Sequence, residues 1–424
     1  MLSSKKNWML YILPSSISAE GLHIVLPLYV ISLGGTVSDV GIVIALQYGA
    51  AALGSIFWGK IIDRFHVKRV ILLVCFSAIT LCCIWLYFAT ELNIIYAIST
   101  IIGFFIVGKN PITQLLVMET VPNNQWSKLF SFTAIITTFG SFTAFVVGSI
   151  SNYYFEVGPY FLFCAITSSI AVVASIIVKS STFLERNTLV QSIHGLNFVF
   201  RHFRFHFQMV FPTIPHRTDF KHLISIFKGN ISHEIGILFL TNFFFYLGSN
   251  IYFTALIPFL KNHQFSDSQV FSVYLIQTIT LLVIFYLVPR LTSKIGEERA
   301  TTIAFIPRVA AVLTTAFLIP ITFGFDSFVV AAVSSSVMVM AFSIFSTSNS
   351  ILLFKTIPQG FEGRYLGVNS FMIGIGIFSA ALMAGFITNI SGYLTTFLVA
   401  VGILVVSFIL FQIYLKHRLS HRAI

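Results

Sequence analysis

The chain alternates between long apolar runs and short polar breaks. Val40 to Phe57 and Val70 to Ala89 hold 18 and 20 residues without one charged side chain. At about 1.5 Å of rise per residue, each run crosses a hydrocarbon core of roughly 30 Å as a helix. Repeated along the chain, the pattern predicts twelve spans, at roughly 8–33, 39–59, 70–90, 93–117, 128–150, 158–179, 235–260, 268–288, 300–323, 327–353, 365–389 and 392–415. The expected fold class is an all-α membrane protein.

Composition excludes a water-soluble chain. Residues are 57% hydrophobic and only 9% charged, with a mean hydropathy of +0.92, too little charge to cover a water-facing surface. A net charge of +11 would point to nucleic acid in a soluble protein, so its distribution matters. Nearly all of the 25 Lys and Arg fall in alternate breaks, from Lys5 and Lys6 through the 60–69 break to Lys416, Arg418 and Arg422. Only Lys261 lies in the other set, which holds Asp39, Glu91, Glu156, Asp267 and Asp326. By the positive-inside rule, both termini are expected in the cytoplasm and the protein in the cell membrane. Lipid is then a partner and nucleic acid is not. The run behind Lys5-Lys6 continues past Leu26 without a small-residue cleavage site, so it reads as a retained first span rather than a signal peptide. Cys75, Cys82, Cys83 and Cys164 all sit inside apolar runs without ligand spacing, and no metal site is expected.

Residues 180–233 form the one long stretch that is not apolar. The stretch divides the chain into an N-terminal six-helix bundle, 1–179, and a C-terminal one, 234–424. Its basic and aromatic residues, Arg201 to Phe207 among them, read either as an amphipathic helix lying on anionic lipid or as a solvated connector. The two halves repeat weakly. Gly59 aligns with Pro289, Arg64 with Lys294 and Arg69 with Arg299, and near the same offset Pro122 aligns with Pro358 and Pro27 with Pro258. This is the signature of a duplicated six-helix unit with a solute site where the halves meet.

The break Gly59-Lys-Ile-Ile-Asp63-Arg64-Phe65-His66-Val67-Lys68-Arg69 resembles the loop 2-3 signature of the major facilitator superfamily, with His66 in place of its second Gly and Val67 in place of a basic residue. Pro358 through Gly363-Arg364 to Gly367 is similar to the family pattern in the second half. The resemblance implies two six-helix bundles related by pseudo-two-fold symmetry, working as a monomer by alternating access. It also implies that Gly59, Asp63, Arg64, Lys68 and Arg69, with Glu119 at the end of helix 4, form a gating cluster that makes and breaks contacts between access states.

Away from the span ends, three charged residues stand out: Glu20, Lys109 and Arg308. An ionisable side chain there costs roughly 2.5 kcal/mol or more, so such residues face a cavity or a partner. A carboxylate beside a cation releases its proton, whereas one desolvated and alone keeps it. Glu20 is therefore the candidate proton carrier, Lys109 its counter-charge or an anion anchor, and His23, one turn outward, a relay. A static ion pair is the alternative. Arg308, after Pro307 on a helix expected at the periphery, reads as snorkelling to the interface. Polar candidates for the cavity wall are Gln47, Asn242, Asn250, Gln277 and Thr278. On helix 5, Gly140, Ala144 and Gly148 resemble the antiporter motif of the family, with Phe145 in place of its Pro, and read as a close-packing face.

There is no G-x-x-x-x-G-K-[ST] loop and no soluble domain to hold ATP, so energy is expected from an ion gradient, protons above all, without a cofactor. The expected function is a proton-coupled secondary transporter of a small organic solute, not an enzyme, with export of amphipathic compounds favoured. Proton-coupled nutrient uptake and a non-transporting membrane sensor are the alternatives.

Overall fold

The computed structural model describes residues 4–65, 67–120, 126–178, 233–357 and 362–422. A short 3-10 helix, Ser4–Tyr11, leads into α1 (Ile12–Ser32), followed by α2 (Val37–Phe65), α3 (Lys68–Phe88), α4 (Leu92–Ile106), α5 (Lys109–Thr120), α6 (Trp126–Tyr154) and α7 (Tyr160–Ser175). The second half holds α8 (His233–Asn262), α9 (Asp267–Ile295), α10 (Glu297–Leu318), α11 (Gly324–Thr356) and α12 (Glu362–Arg422). Among the described residues, ten helical stretches are long and apolar enough to cross a membrane. One of them, Val368–Arg418, is 51 residues long and makes two crossings, turning at Gly392, whose φ of +80° a side chain would strain. With the shorter apolar helix Tyr160–Ser175 the described residues accommodate twelve crossings.

The helices satisfy their own polar groups, as hydrocarbon surroundings demand. Hydroxyls such as Thr80, Thr137 and Ser343 donate to the carbonyl one turn back. Helix starts on the face opposite the termini are capped by side chains. Asp39 accepts from the Thr36 amide (2.6 Å) and from Tyr96 Oη (2.5 Å), tying α2 to α4. Ser266 and Gln269 form a reciprocal capping box on α9. Lys261 and Asp267 pair at 2.8 Å on that same face. Outward-facing apolar side chains such as Leu81, Ile166, Ile306 and Phe386 remain exposed for lipid.

The same set of neighbours recurs in each half. In the first, α1 packs on α6 and α7, α2 on α4, and α3 on α4 and α7. In the second, α8 packs on both arms of α12, α9 on α11, and α10 on α11 and α12. The halves meet along α2 against α12 and α6 against α9. Near the face opposite the termini these contacts are very close. A Cβ on Gly41 would lie 2.6 Å from the Ala381 carbonyl, one on Gly385 2.9 Å from Ser38 Cα, and one on Gly148 2.3 Å from the Phe271 ring. Ser149 Oγ also bonds Ser272 Oγ at 2.7 Å. The small residues of helix 5 are thus spent on packing, Gly140 against α1 and Gly148 against α9.

Three boundaries differ from the sequence-based expectation. α2 runs on to Phe65, so Asp63 and Arg64 lie in its last turns rather than in a loop; those turns project beyond the apolar run, where charge is tolerated. Helix 4 is broken, with α4 ending at Ile106 and α5 starting at Lys109. α10 begins at Glu297, three residues early, which sets Arg308 deeper in the span. Of the expected interfacial segment 180–233, all but His233 lies outside the described residues.

Candidate functional site

Phe145 of α6 and Tyr274 of α9 are in edge contact, their ring centroids 6.1 Å apart. Beyond that pair, toward the face carrying both termini, the two helices part. Thr137, Thr138 and Ser141 on one, and Gln277, Thr278 and Leu281 on the other, line a cavity of about 880 Å³ between the halves. The cavity therefore reaches from mid-span toward the terminal face, while the glycine contacts seal the opposite one.

On α1, Ser16, Glu20 and His23 share one stripe at helical spacing and line the cavity. His23 Nε2 lies 3.3 Å from Tyr48 Oη of α2. Lys109 reaches the cavity because the helix breaks just before it. Gly108 sits where a Cβ would meet Cys75 Sγ at 2.6 Å, and Trp58 Nε1 donates to the Phe104 carbonyl at 2.9 Å, one turn before the break. Lys109, Asn110, Thr113 and Gln114 then face the space, and Tyr11 Oη bonds Thr113 Oγ1 at 2.8 Å. Glu20 and Lys109 share the cavity. They are not among the ion pairs of the described residues, which are Lys68–Glu119, Lys261–Asp267, Lys355–Glu297 and Arg418–Glu298.

Arg308 does not snorkel. It is eleven residues into α10, roughly 16 Å by helical rise, near the middle of the span and fully buried. Its side chain passes between α8 and α11. Nε donates to Ser249 Oγ (2.8 Å), Nη1 donates to the Met338 carbonyl (2.9 Å), and the guanidinium carbon stands 4.5 Å from the Phe245 ring centroid. Arg308 lines the same cavity as Glu20 and Lys109.

Among the polar candidates, Asn250, Gln277 and Thr278 line the cavity, though the Thr278 hydroxyl is already spent on the Tyr274 carbonyl at 2.9 Å. Gln47 and Asn242 are not on its wall. Asn242 is instead the centre of a buried amide chain. It donates to Asn369 Oδ1 (2.8 Å) and accepts from Asn349 Nδ2 (2.6 Å), joining α8, α12 and α11. In the gating set, Lys68 is buried and pairs with Glu119, bridging α3 and α5, while Arg69 is exposed. Gly59 lies within α2, and the side chains of Asp63 and Arg64 lie outside the described residues. No cluster of metal-ligating side chains occurs among the described residues. Tyr11, Thr113 and Gln114 are cavity residues that no sequence signal singles out; Thr133, Thr137 and Ser141 are also missed, and their i, i+4 spacing is the signal that finds them.

Two repeated helical halves closing on one face around a charged cavity define a polytopic membrane transporter. The chain belongs to the Major Facilitator Superfamily, whose family model matches residues 9–381 and, in an overlapping second match, 238–423. No curated protein matches it individually. Among solved structures, the nucleoside transporter NupG superposes with a TM-score of 0.74 at 16% identity, covering 98% of this chain and 100% of that one. The peptide transporter POT in complex with sulfate gives 0.71 at 12% identity, covering 97% and 94%. A POT family transporter in complex with 5-aminolevulinic acid gives 0.70 at 13%, covering 97% and 95%. These likenesses are of fold.

Proposed function

We propose that the protein is a secondary active transporter that carries a small amphipathic organic solute through this cavity by alternating access, with a proton moving on Glu20. The observation that carries the reading is that Glu20, Lys109 and Arg308, charged residues well inside described spans, all line one cavity between the halves. Each is costly in a membrane, and their convergence concentrates that cost where a solute passes. The rest of the wall mixes rings and aliphatic groups, including Tyr48, Phe145, Tyr246, Phe253 and Phe342, with hydroxyls and amides such as Thr137, Ser141 and Gln277, which suits a solute with both an apolar body and polar groups.

The conformation described is open toward the terminal face. Rocking of the halves would part Gly41 from Gly385 and Gly148 from Phe271 and close the terminal side. Glu20 would then pass from one water-accessible side to the other, with the His23–Tyr48 pair one turn nearer the opposite face as its relay. Lys109, near but not in contact, favours release of the proton when it approaches. Imposed gradients set the direction of flux.

Proteoliposomes with an imposed pH gradient and a mixture of organic metabolites test the reading. Wild type moves a subset of the mixture in a gradient-dependent way, and Glu20→Gln loses the gradient dependence while keeping solute exchange. Equal, gradient-independent flux in both rejects the role of Glu20.

A further inference from the structure

The guanidinium of Arg308 stays charged at neutral pH and is completely buried, yet no carboxylate pairs with it among the described residues. Its holders are all neutral: Ser249 Oγ, the Met338 carbonyl, and the faces of Phe245 and Phe342, whose centroids lie 4.5 and 5.5 Å from the guanidinium carbon. They orient the group without cancelling its charge. Nη2 is left with no partner, on a side chain that lines the cavity. A second buried donor on the same wall, Gln277 Nε2, also has none. On the facing half, Lys109 adds another cation, so the cavity holds two cations against the one carboxylate of Glu20. A buried cation is tolerated when a counter-charge meets it, and the unpartnered nitrogen belongs to a side chain on the cavity wall.

We infer that the solute is an organic monoanion whose carboxylate seats on Arg308 Nη2, with Gln277 as a second donor and its apolar body against Tyr246, Phe253 and Phe342. The inference rests on the cavity being the solute site. With Glu20 ionised, one negative charge balances the cavity, and a dianion leaves negative charge in excess. The flat two-oxygen carboxylate also suits the planar guanidinium. Arg308 is therefore a binding residue, and Ser249, whose hydroxyl is engaged by Arg308 and by the Phe245 carbonyl, a positioning one.

The test reads thermal stability of the purified protein in detergent against matched pairs of aromatic and aliphatic monocarboxylates and their primary amides, with sodium chloride and inorganic phosphate as further probes. At least one acid raises the wild-type melting temperature saturably, and its amide does not. Arg308→Gln raises the half-maximal concentration about tenfold or more, the expected loss for a hydrogen bond to a charged group, and Arg308→Lys restores part of it. Gln277→Leu keeps the guanidinium and its holders and weakens the same response about threefold, serving where Arg308→Gln does not fold. Acids no better than their amides, or a response unchanged in both variants, overturn the subsite. A shift with chloride or phosphate as large as with any acid overturns the assignment to an organic carboxylate. Because this readout needs no flux, an intact acid response with no flux in proteoliposomes would reject the transport cycle and leave the subsite standing.

Discussion

Arg308 Nε and Ser249 Oγ meet at 2.8 Å and join α10 to α8 at the cavity wall. The Ser249 hydroxyl donates to the Phe245 carbonyl at 2.5 Å, which turns its lone pairs toward the guanidinium. A serine that looks like a packing residue thus holds a charge from α10 at the cavity wall.

Ser249→Ala strands that Nε–H in a fully buried site. The expected loss is about 1.5 to 3 kcal/mol, read as a fall of several degrees in the melting temperature of the purified protein. Unchanged stability would show that the hydrogen bond does not hold the arginine.

Closure of the face opposite the termini depends on Gly148, whose Cβ position overlaps the Phe271 ring. Gly148→Val should keep α6 and α9 apart there and trap the protein open to that face. Flux falls at least tenfold, on the order expected if overpacking of about 1 to 3 kcal/mol opposes the sealed state. The check is a cysteine placed at Thr137 in the cavity. An impermeant thiol reagent reaches it from the terminal face in the parent, and from the opposite face in the Gly148→Val variant.

The amide chain through Asn242 is a structural device, not a solute contact. Asn242→Leu leaves Asn349 and Asn369 without their buried partner and lowers stability by about 2 to 3 kcal/mol. Solute affinity of the folded fraction should stay within about twofold of wild type, on the ground that contacts off the wall carry little binding energy. A large affinity change at unaltered stability would return Asn242 to the cavity.

Lys68 and Glu119 are unequal partners, Lys68 being 2% exposed and the Glu119 side chain 20%. Glu119→Ala leaves a buried ammonium without that partner and costs about 3 kcal/mol or more, whereas Lys68→Met removes the buried charge with it and costs clearly less. Comparing the two variants by thermal unfolding checks the asymmetry. Equal losses would mean that the ammonium is hydrated in the folded state.

Much of the architecture was legible because lipid imposes a simple rule. Backbone groups must bond within their own helix, so uncharged length alone marks a crossing, and charge between crossings marks their alternation. Glu20, Lys109 and Arg308 were legible as costly residues for the same reason. Where helices overrun the bilayer the rule is silent, which is why the continuation of α2 through Asp63 to Phe65 was read as a loop.

What the sequence by itself determined is the number of crossings, the division into two repeated halves and the short set of charges that need an explanation. What only the tertiary structure decided is where those charges go. Arg308 turned from an interfacial anchor into a cavity residue because Ser249 and Met338, distant in sequence, accept its hydrogen bonds. Asn242 went the other way, drawn off the wall by Asn349 and Asn369. Inside a membrane every helix face is apolar enough to be buried or to meet lipid. Hydropathy therefore cannot tell one face from another, and the choice falls to which polar groups find partners when the helices pack.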